Sequence, residues 1–84
     1  MNPKDITPCN DQGKRHGYWE RYYTNGQLYY KGNFVDGIKH GYWEYYYYSN
    51  GQLYSKGNYV NGKLHGYWEY YHDNGKLNSK IYYI

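Results

Sequence analysis

Histidine and glutamate recur along the chain at spacings that call for a test of metal-binding and acid–base chemistry. His16, His40 and His65 follow one another at intervals of 24 and 25 residues. A glutamate comes four residues after each of them, at Glu20, Glu44 and Glu69. Equivalent positions two strands apart in a sheet are separated by about 10 Å, whereas a metal ion holds its histidine nitrogens at about 2 Å. We therefore expect the histidines to close turns and not to bind a metal.

No pattern for nucleophilic or phosphate chemistry accompanies these residues. Ser49, Ser55 and Ser79 are the only serines, and none stands in a nucleophile motif. The glycines fall at turn and strand positions and form no phosphate-binding loop. Cys9 is the only cysteine, which excludes an internal disulfide and a multi-cysteine metal site. The sequence predicts a protein that is not an enzyme and has no cofactor.

The candidate residues belong to one sequence unit that occurs three times in 84 residues. Each copy contains His-Gly-Tyr-Trp-Glu, then Asn-Gly, then a leucine two residues later. A repeat of this length determines the whole fold, because each unit buries its apolar surface against its neighbours. The predicted parts are an N-terminal arm over 1–12 and one repeat domain over 13–84, with repeats at about 16–39, 40–64 and 65–84.

The composition excludes a conventional aliphatic core. The chain has 17 Tyr, three Trp and one Phe, but only ten Ile, Leu and Val residues and no Ala. Helices are disfavoured, because Tyr, Trp, Asn and Gly are poor or indifferent helix formers. Disorder is disfavoured as well, since so many aromatic rings offer large surfaces to bury. The net charge of +3 is too small to indicate a nucleic-acid-binding surface.

Each copy reads as a β-hairpin. Asn-Gly between runs of Tyr and Trp is a strong signal for a type I′ turn, and Asp36-Gly37 and Asn61-Gly62 repeat this signal between copies. We expect an all-β fold, a single-layer twisted antiparallel meander of three stacked hairpins. Its six strands are predicted near 17–24, 27–35, 38–49, 52–60, 63–73 and 76–83.

Side-chain chemistry supports one register. Two-residue turns place Glu20 opposite Lys31 and Glu69 opposite Lys80, which are favourable cross-strand pairs. The middle copy is one residue longer than its neighbours. A bulge of one residue among residues 46–49 is therefore predicted, because it places Glu44 opposite Lys56 and Trp43 opposite Gly57.

The alternation of a strand gives the sheet two different faces. The Glu–Lys face carries the ion pairs together with tyrosines. The Trp face has no second layer in this chain to cover it, so it must curl over itself, dimerise or receive a partner. We expect the partner-binding residues on the Trp face at Trp19, Tyr23, Tyr30, Phe34, Trp43, Tyr45, Tyr59, Trp68 and Tyr70.

The repeated unit resembles a known family. Tyr-Trp-Glu-Tyr-Tyr, Asn-Gly-Gln-Leu and Lys-Gly-Asn-Tyr-Val are similar to MORN repeats in the variant found in bacteria, and the resemblance covers residues 13–84. It implies a single-layer sheet of stacked hairpins that acts as a non-catalytic scaffold. It also implies protein–protein interaction, homodimerisation and, in some members, binding of phospholipid head groups. Bacterial relatives are often labelled antitoxin-like.

The first functional hypothesis is binding of another protein through the Trp face, as a small bacterial or phage inhibitor or antitoxin-like protein does. A homodimer through this face or through the sheet edges is a further expectation. The N-terminus lacks the apolar region of a signal peptide and no stretch is long enough to span a membrane, so we expect a cytoplasmic protein.

The alternative hypothesis is peripheral binding to anionic phospholipid. Its basic residues are Lys14, Arg15, Lys31, Lys56, Lys63 and Lys80, which supply about 1 kcal/mol each near an anionic surface. Stacking of single-stranded nucleic acid on tyrosine ranks last, because the lysines pair with glutamates and form no basic track.

Overall fold

The protein forms one antiparallel sheet. The computed structural model describes residues 2–84, in which six strands pair in chain order and confirm the predicted all-β meander. The sheet is a single layer with principal extents of 41 × 35 × 11 Å. Within residues 2–84 no helix is long and apolar enough to cross a membrane. The strands are β1 (Gly17–Tyr22), β2 (Leu28–Val35), β3 (Ile38–Tyr46), β4 (Leu53–Val60), β5 (Lys63–Tyr71) and β6 (Leu77–Tyr83).

The turns between repeats and the turns within repeats differ in kind. Asp36 and Asn61 have positive φ and precede glycines of positive φ, which confirms type I′ geometry between repeats. Within the repeats the type I′ prediction is wrong. Among the described residues Asp36 and Asn61 are the only non-glycines of positive φ, and the Asn25 side chain instead accepts a 3.0 Å bond from the Gln27 N–H. This Asx turn accounts for the recurring asparagine, because its carboxamide caps the loop locally.

The extra residue of the middle repeat lies in its loop. Tyr47 donates its N–H to the Gln52 carbonyl across a four-residue loop, whereas the first repeat closes over three residues. Glu44 opposite Lys56 and Trp43 opposite Gly57 are both confirmed. The register does shift between Tyr45 and Tyr46, but the same shift occurs in all three hairpins. The extra residue at this shift is Tyr54 on β4, so the prediction of a bulge among residues 46–49 is wrong, and the bulge is a feature of every repeat and not a correction for the longer one.

A second irregularity, which sequence reasoning missed, explains the His-Gly pairs. Between β2 and β3 the pairing passes from Asn33–His40 to Lys31–Glu44, so β3 contains two extra residues. Gly41 lies in this bulge with φ of +77°, a conformation that glycine adopts without strain. The same shift recurs between β4 and β5. The bulges align one alternating row of charge across all six strands, namely Glu20, Lys31, Glu44, Lys56, Glu69 and Lys80.

Tryptophan and glycine interlock the repeats. Trp43 pairs with Gly57 in its own hairpin, but its indole lies over Gly32 of the previous hairpin. The indole N–H also reaches back and donates to the Asn33 carbonyl at 3.1 Å. Trp68 repeats both contacts one hairpin later, over Gly57 and to the carbonyl of Asn58 at 2.9 Å. Each repeat therefore inserts one indole into the repeat before it.

The N-terminal arm takes the place of a preceding repeat for Trp19. The Trp19 indole donates to the Pro8 carbonyl at 2.8 Å, in the way that Trp43 uses Asn33. Ile6 exchanges both backbone hydrogen bonds with Glu20 on the edge of β1. Asp5 adds an ion pair of 3.2 Å with Arg21. The arm thus covers an indole and a strand edge that would otherwise face water.

We predict that Gly32→Ala destabilises the fold by about 1–3 kcal/mol, the usual effect of overpacking a tight site. A Cβ at Gly32 would overlap the Trp43 indole. Urea unfolding of Gly32→Ala, of Trp43→Leu and of the double variant measures the energetic coupling between the two positions. Gly32→Ala should lower the free energy of unfolding much less when leucine replaces Trp43. Equal losses with tryptophan and with leucine at position 43 would contradict the contact.

We predict that Asp5→Ala lowers the free energy of unfolding by about 1–3 kcal/mol, because it removes the ion pair with Arg21 and leaves the Tyr22 N–H without its acceptor. Besides pairing with Arg21, Asp5 accepts the Tyr22 N–H at 2.8 Å. Asp11→Ala is the matched control, since Asp11 is exposed in the same arm. The thermal midpoints of both variants test this prediction. Equal midpoints would show that the contacts of Asp5 do not stabilise the packing of the arm on β1.

Candidate functional site

The Trp face is closed at its centre by its own side chains. The Trp43 side chain has 0% relative exposure, and Trp19, Trp68 and Phe34 are likewise buried. No second layer is needed for this burial, because neighbouring rings surround each indole. Tyr30 and Tyr45 stack beside Trp43 with centroids 5.3 and 6.0 Å away. The accessible part of the face therefore consists of the half-buried tyrosines and the side chains that lie above the indoles.

Lys39 lies in a cage of three aromatic rings. Its ammonium is 5.1–5.3 Å from the centroids of Trp43, Tyr45 and Tyr59. The lysine Nζ donates to the Tyr45 hydroxyl at 2.7 Å, and the Tyr45 and Tyr59 hydroxyls are 2.9 Å apart. Burial, followed by the nearby charge of Arg15, lowers the Lys39 pKa. Burial and the bond to Tyr59 raise the pKa of Tyr45, so this hydroxyl stays protonated.

The position four residues before each tryptophan covers the indole in every repeat. Arg15 lies 5.3 Å from the Trp19 ring and 5.6 Å from Phe34. Lys39 holds this position above Trp43. Leu64 holds it in the third repeat and packs against the core cluster that includes Trp68. Sequence reasoning missed Lys39 and Leu64 at this position, although their constant distance from tryptophan in the sequence was a usable signal.

Two further tyrosines of the predicted set have structural contacts. The Tyr23 hydroxyl donates to the Tyr46 carbonyl at 2.7 Å, which ties the tip of the first hairpin to the second. The Tyr70 hydroxyl lies 3.2 Å from that of Tyr83, and burial together with this contact raises the pKa of Tyr70 to about 12. Both rings are half-buried.

The structure thus divides the nine predicted binding residues into two groups. The buried group cannot touch a partner in this conformation and comprises Trp19, Phe34, Trp43 and Trp68. The half-buried group borders the surface and comprises Tyr23, Tyr30, Tyr45, Tyr59 and Tyr70. Alternation in a strand assigns residues to a face, but it does not say which of them a neighbour will cover. A partner-binding role for the tyrosines stays a prediction.

The Glu–Lys face is organised by hydroxyl bonds along each strand. Glu44 accepts from the hydroxyls of Tyr42 and Tyr46, and Lys31 lies 3.3 Å away. Glu20 accepts from Tyr18 and Tyr22 in the same way. These bonds occupy both oxygens of the carboxylates. The glutamates are therefore structural acceptors and not acid–base pairs.

The histidines lie apart from one another. His16 accepts the Asp36 N–H at 3.2 Å through Nδ1 and so helps to close the turn between the first two repeats. His40 and His65 stand opposite Asn33 and Asn58 on the neighbouring strands. In the described part of the chain, no three His, Cys, Asp or Glu side chains converge in a geometry that could hold a metal ion.

Three segments of the chain match a known repeat model, that of the MORN repeat variant. The matches cover residues 15–36, 39–61 and 64–84. The chain belongs to the MORN repeat family. The resemblance inferred from the sequence is thereby confirmed, and membership supports a repeat scaffold of the kind that generally binds proteins or membranes. A comparison with curated proteins finds no match.

We predict that the fold loses stability in acid through the Glu–Lys face. Burial would raise the pKa of Glu44, but bonds from Tyr46, Tyr42 and Lys31 outweigh it and lower the pKa. A lowered folded pKa stabilises the protein above the unfolded value of about 4.3, and this contribution is lost as the pH falls through the folded pKa. The thermal midpoint should therefore fall as the pH is lowered from about 6 to about 3.

Glu44→Gln should flatten that dependence, because it removes the titrating group. Asp73→Asn is the control, since Asp73 is exposed in a loop. Thermal unfolding followed by circular dichroism at several pH values gives the slopes. If both variants keep the slope of the parent protein, Glu44 does not carry the acid sensitivity.

Proposed function

We propose that this MORN repeat protein is a non-catalytic scaffold that binds another protein through the Trp face. The observation that carries the proposal is the row of half-buried tyrosines Tyr30, Tyr45, Tyr59 and Tyr70, which borders the buried indoles. Their rings are held by stacking and by hydroxyl pairs such as Tyr45–Tyr59. Tyrosines held in this way offer contact area at low entropic cost, which is why tyrosine is enriched in binding hot spots.

The biological role that we propose is that of a small inhibitor or antitoxin-like protein of bacterial or phage origin, acting in the cytoplasm by occluding a larger protein. A rigid single layer suits occlusion, because a flat face 41 × 35 Å across is large compared with a standard interface of about 800 Å² per partner.

Anionic lipid binding receives less support from the geometry. Lys31 and Lys56 are ion-paired with Glu44 and Glu69 at 3.3 and 3.5 Å, and Lys80 lies 4.0 Å from Glu69. All of them lie on the Glu–Lys face. Three of the six basic residues of the lipid hypothesis are thus neutralised on the Glu–Lys face, and Arg15 lies on the other face, over Trp19. Lipid recognition by charge uses clusters of about 4–8 basic residues.

We predict that a photo-crosslinking residue at Tyr59 captures a protein in cells of the source organism. Tyr59 borders the Trp face, and Tyr42, which is exposed with a relative exposure of 48% and donates to Glu44 on the Glu–Lys face, supplies the matched second position. The expected result is a heterologous protein crosslinked from Tyr59 and not from Tyr42, identified by mass spectrometry.

Other outcomes are equally informative. A crosslinked species of twice the chain mass would show that the Trp face binds a second copy. Capture from Tyr42 alone would move the binding site to the Glu–Lys face. Flotation with phosphatidylserine vesicles, in the absence of any protein crosslink, would replace the proposal by the lipid alternative.

A further inference from the structure

The Trp face carries uncompensated positive charge over its first two repeats. Arg15 and Lys39 lie above neighbouring indoles: Arg15 stands just before β1, and Lys39 stands on β3, the strand on the other side of β2. Within residues 2–84 neither side chain has a carboxylate oxygen within 4.0 Å, although the chain forms several other ion pairs. Two strand spacings separate the two positions by about 10 Å.

We infer that Arg15 and Lys39 form a recognition site for an acidic segment of a partner protein, with two carboxylates about 10 Å apart. The inference rests on the proposed function and specifies the chemistry of its partner. A segment in the polyproline II conformation presents side chains on one side at about this distance at positions i and i+3, and a helix does so at i and i+7.

Five of the seven acids of this chain have other partners. Asp5 pairs with Arg21, and the three glutamates lie on the opposite face with tyrosine hydroxyls as donors. Asp36, in the nearby turn, accepts from the Asn10 carboxamide at 2.8 Å and faces His16. Burial lowers the pKa of Lys39, and repulsion by the nearby charge of Arg15 lowers it further. An incoming carboxylate would relieve that repulsion, and partial burial would strengthen the attraction.

The third repeat shows that the fold does not require a cation at this position. Leu64 occupies the position equivalent to Arg15 and Lys39 and packs against the core cluster, and the Trp68 indole is as well buried as that of Trp43. A neutral side chain therefore satisfies the packing. The two charges serve something other than burial of the indole, and binding of an anionic group is the chemistry that needs them.

The two cations suit a protein segment better than a bilayer. Between them lies Phe34, which is buried, and around them lie half-buried tyrosines held by neighbouring rings. Such a surface matches two carboxylates at a fixed separation. A membrane surface would draw on many basic residues at once, and the paired lysines of the Glu–Lys face are turned away from this site.

The test is a titration of the isotope-labelled protein with hexaglutamate, with hexalysine as the control peptide. The Trp19 and Trp43 indole N–H signals report on the two cations, and the Trp68 signal reports on the neutral repeat. We expect saturable shifts at Trp19 and Trp43 but not at Trp68, and none with hexalysine. Failure of hexaglutamate to produce a saturable shift would overturn the inference.

Three variants separate the site from a general charge effect. Lys39→Leu should weaken hexaglutamate binding about two- to fivefold, the usual range for a partly exposed ion pair. Leu64→Lys should tighten it by a similar factor and bring the Trp68 signal into the response. Lys56→Leu has the same net charge as Lys39→Leu but changes the Glu–Lys face, so it should leave the affinity unchanged. Equal weakening by both lysine variants would overturn the inference.

Two controls distinguish this inference from the broader proposal. If phosphatidylserine vesicles, and not hexaglutamate, shift Trp19 and Trp43, the site recognises lipid and the inference fails. If Lys39→Leu leaves the yield of the Tyr59 crosslink unchanged, the acidic-segment inference fails while protein binding through the Trp face stands. Absence of any protein crosslink in the parent chain overturns the proposed function itself.

Discussion

The structure depends on one contact, the indole of a tryptophan lying over the glycine of the preceding hairpin. Trp43 over Gly32 and Trp68 over Gly57 join three hairpins that would individually be marginal in water. Glycine is required because any Cβ would occupy the volume of the ring. The indole N–H then satisfies a backbone carbonyl beside that glycine, so the buried ring leaves no polar group unpaired. The core is consequently a row of rings within one layer.

The need for such a contact explains both ends of the sheet. Trp19 has no preceding hairpin among the described residues, and the N-terminal arm supplies the Pro8 carbonyl instead. At the other end Ile81 stands opposite Trp68, where the earlier repeats have Gly57 and Gly32. An isoleucine leaves no room for another indole. The contact between indole and glycine that joins the repeats is therefore not possible at Ile81.

Burial of the indoles changes which part of the surface can have a function. An aromatic face without a second layer would ordinarily be an exposed apolar patch. Here the rings cover one another, and the accessible layer consists of tyrosine hydroxyls, Arg15, Lys39 and Leu64. The opposite face is neutralised by its alternating row of glutamates and lysines. The two faces therefore differ in charge balance as well as in ring content, although both are rich in tyrosine.

The sequence by itself determined the repeats, the six strands, the meander, the Glu–Lys pair inside each hairpin and the Trp–Gly pairs of the first two, because these follow from the repeated unit and the two-residue period of a strand. Only the tertiary structure decided the bulges at Gly41 and at its counterpart Gly66 in the third repeat, and which glycine receives each indole, since these depend on how neighbouring hairpins meet. It also decided that Trp19, Trp43 and Trp68 are buried and that Lys39 lies above Trp43. Sequence alternation assigns a side chain to a face, but burial depends on rings contributed by the adjacent strands.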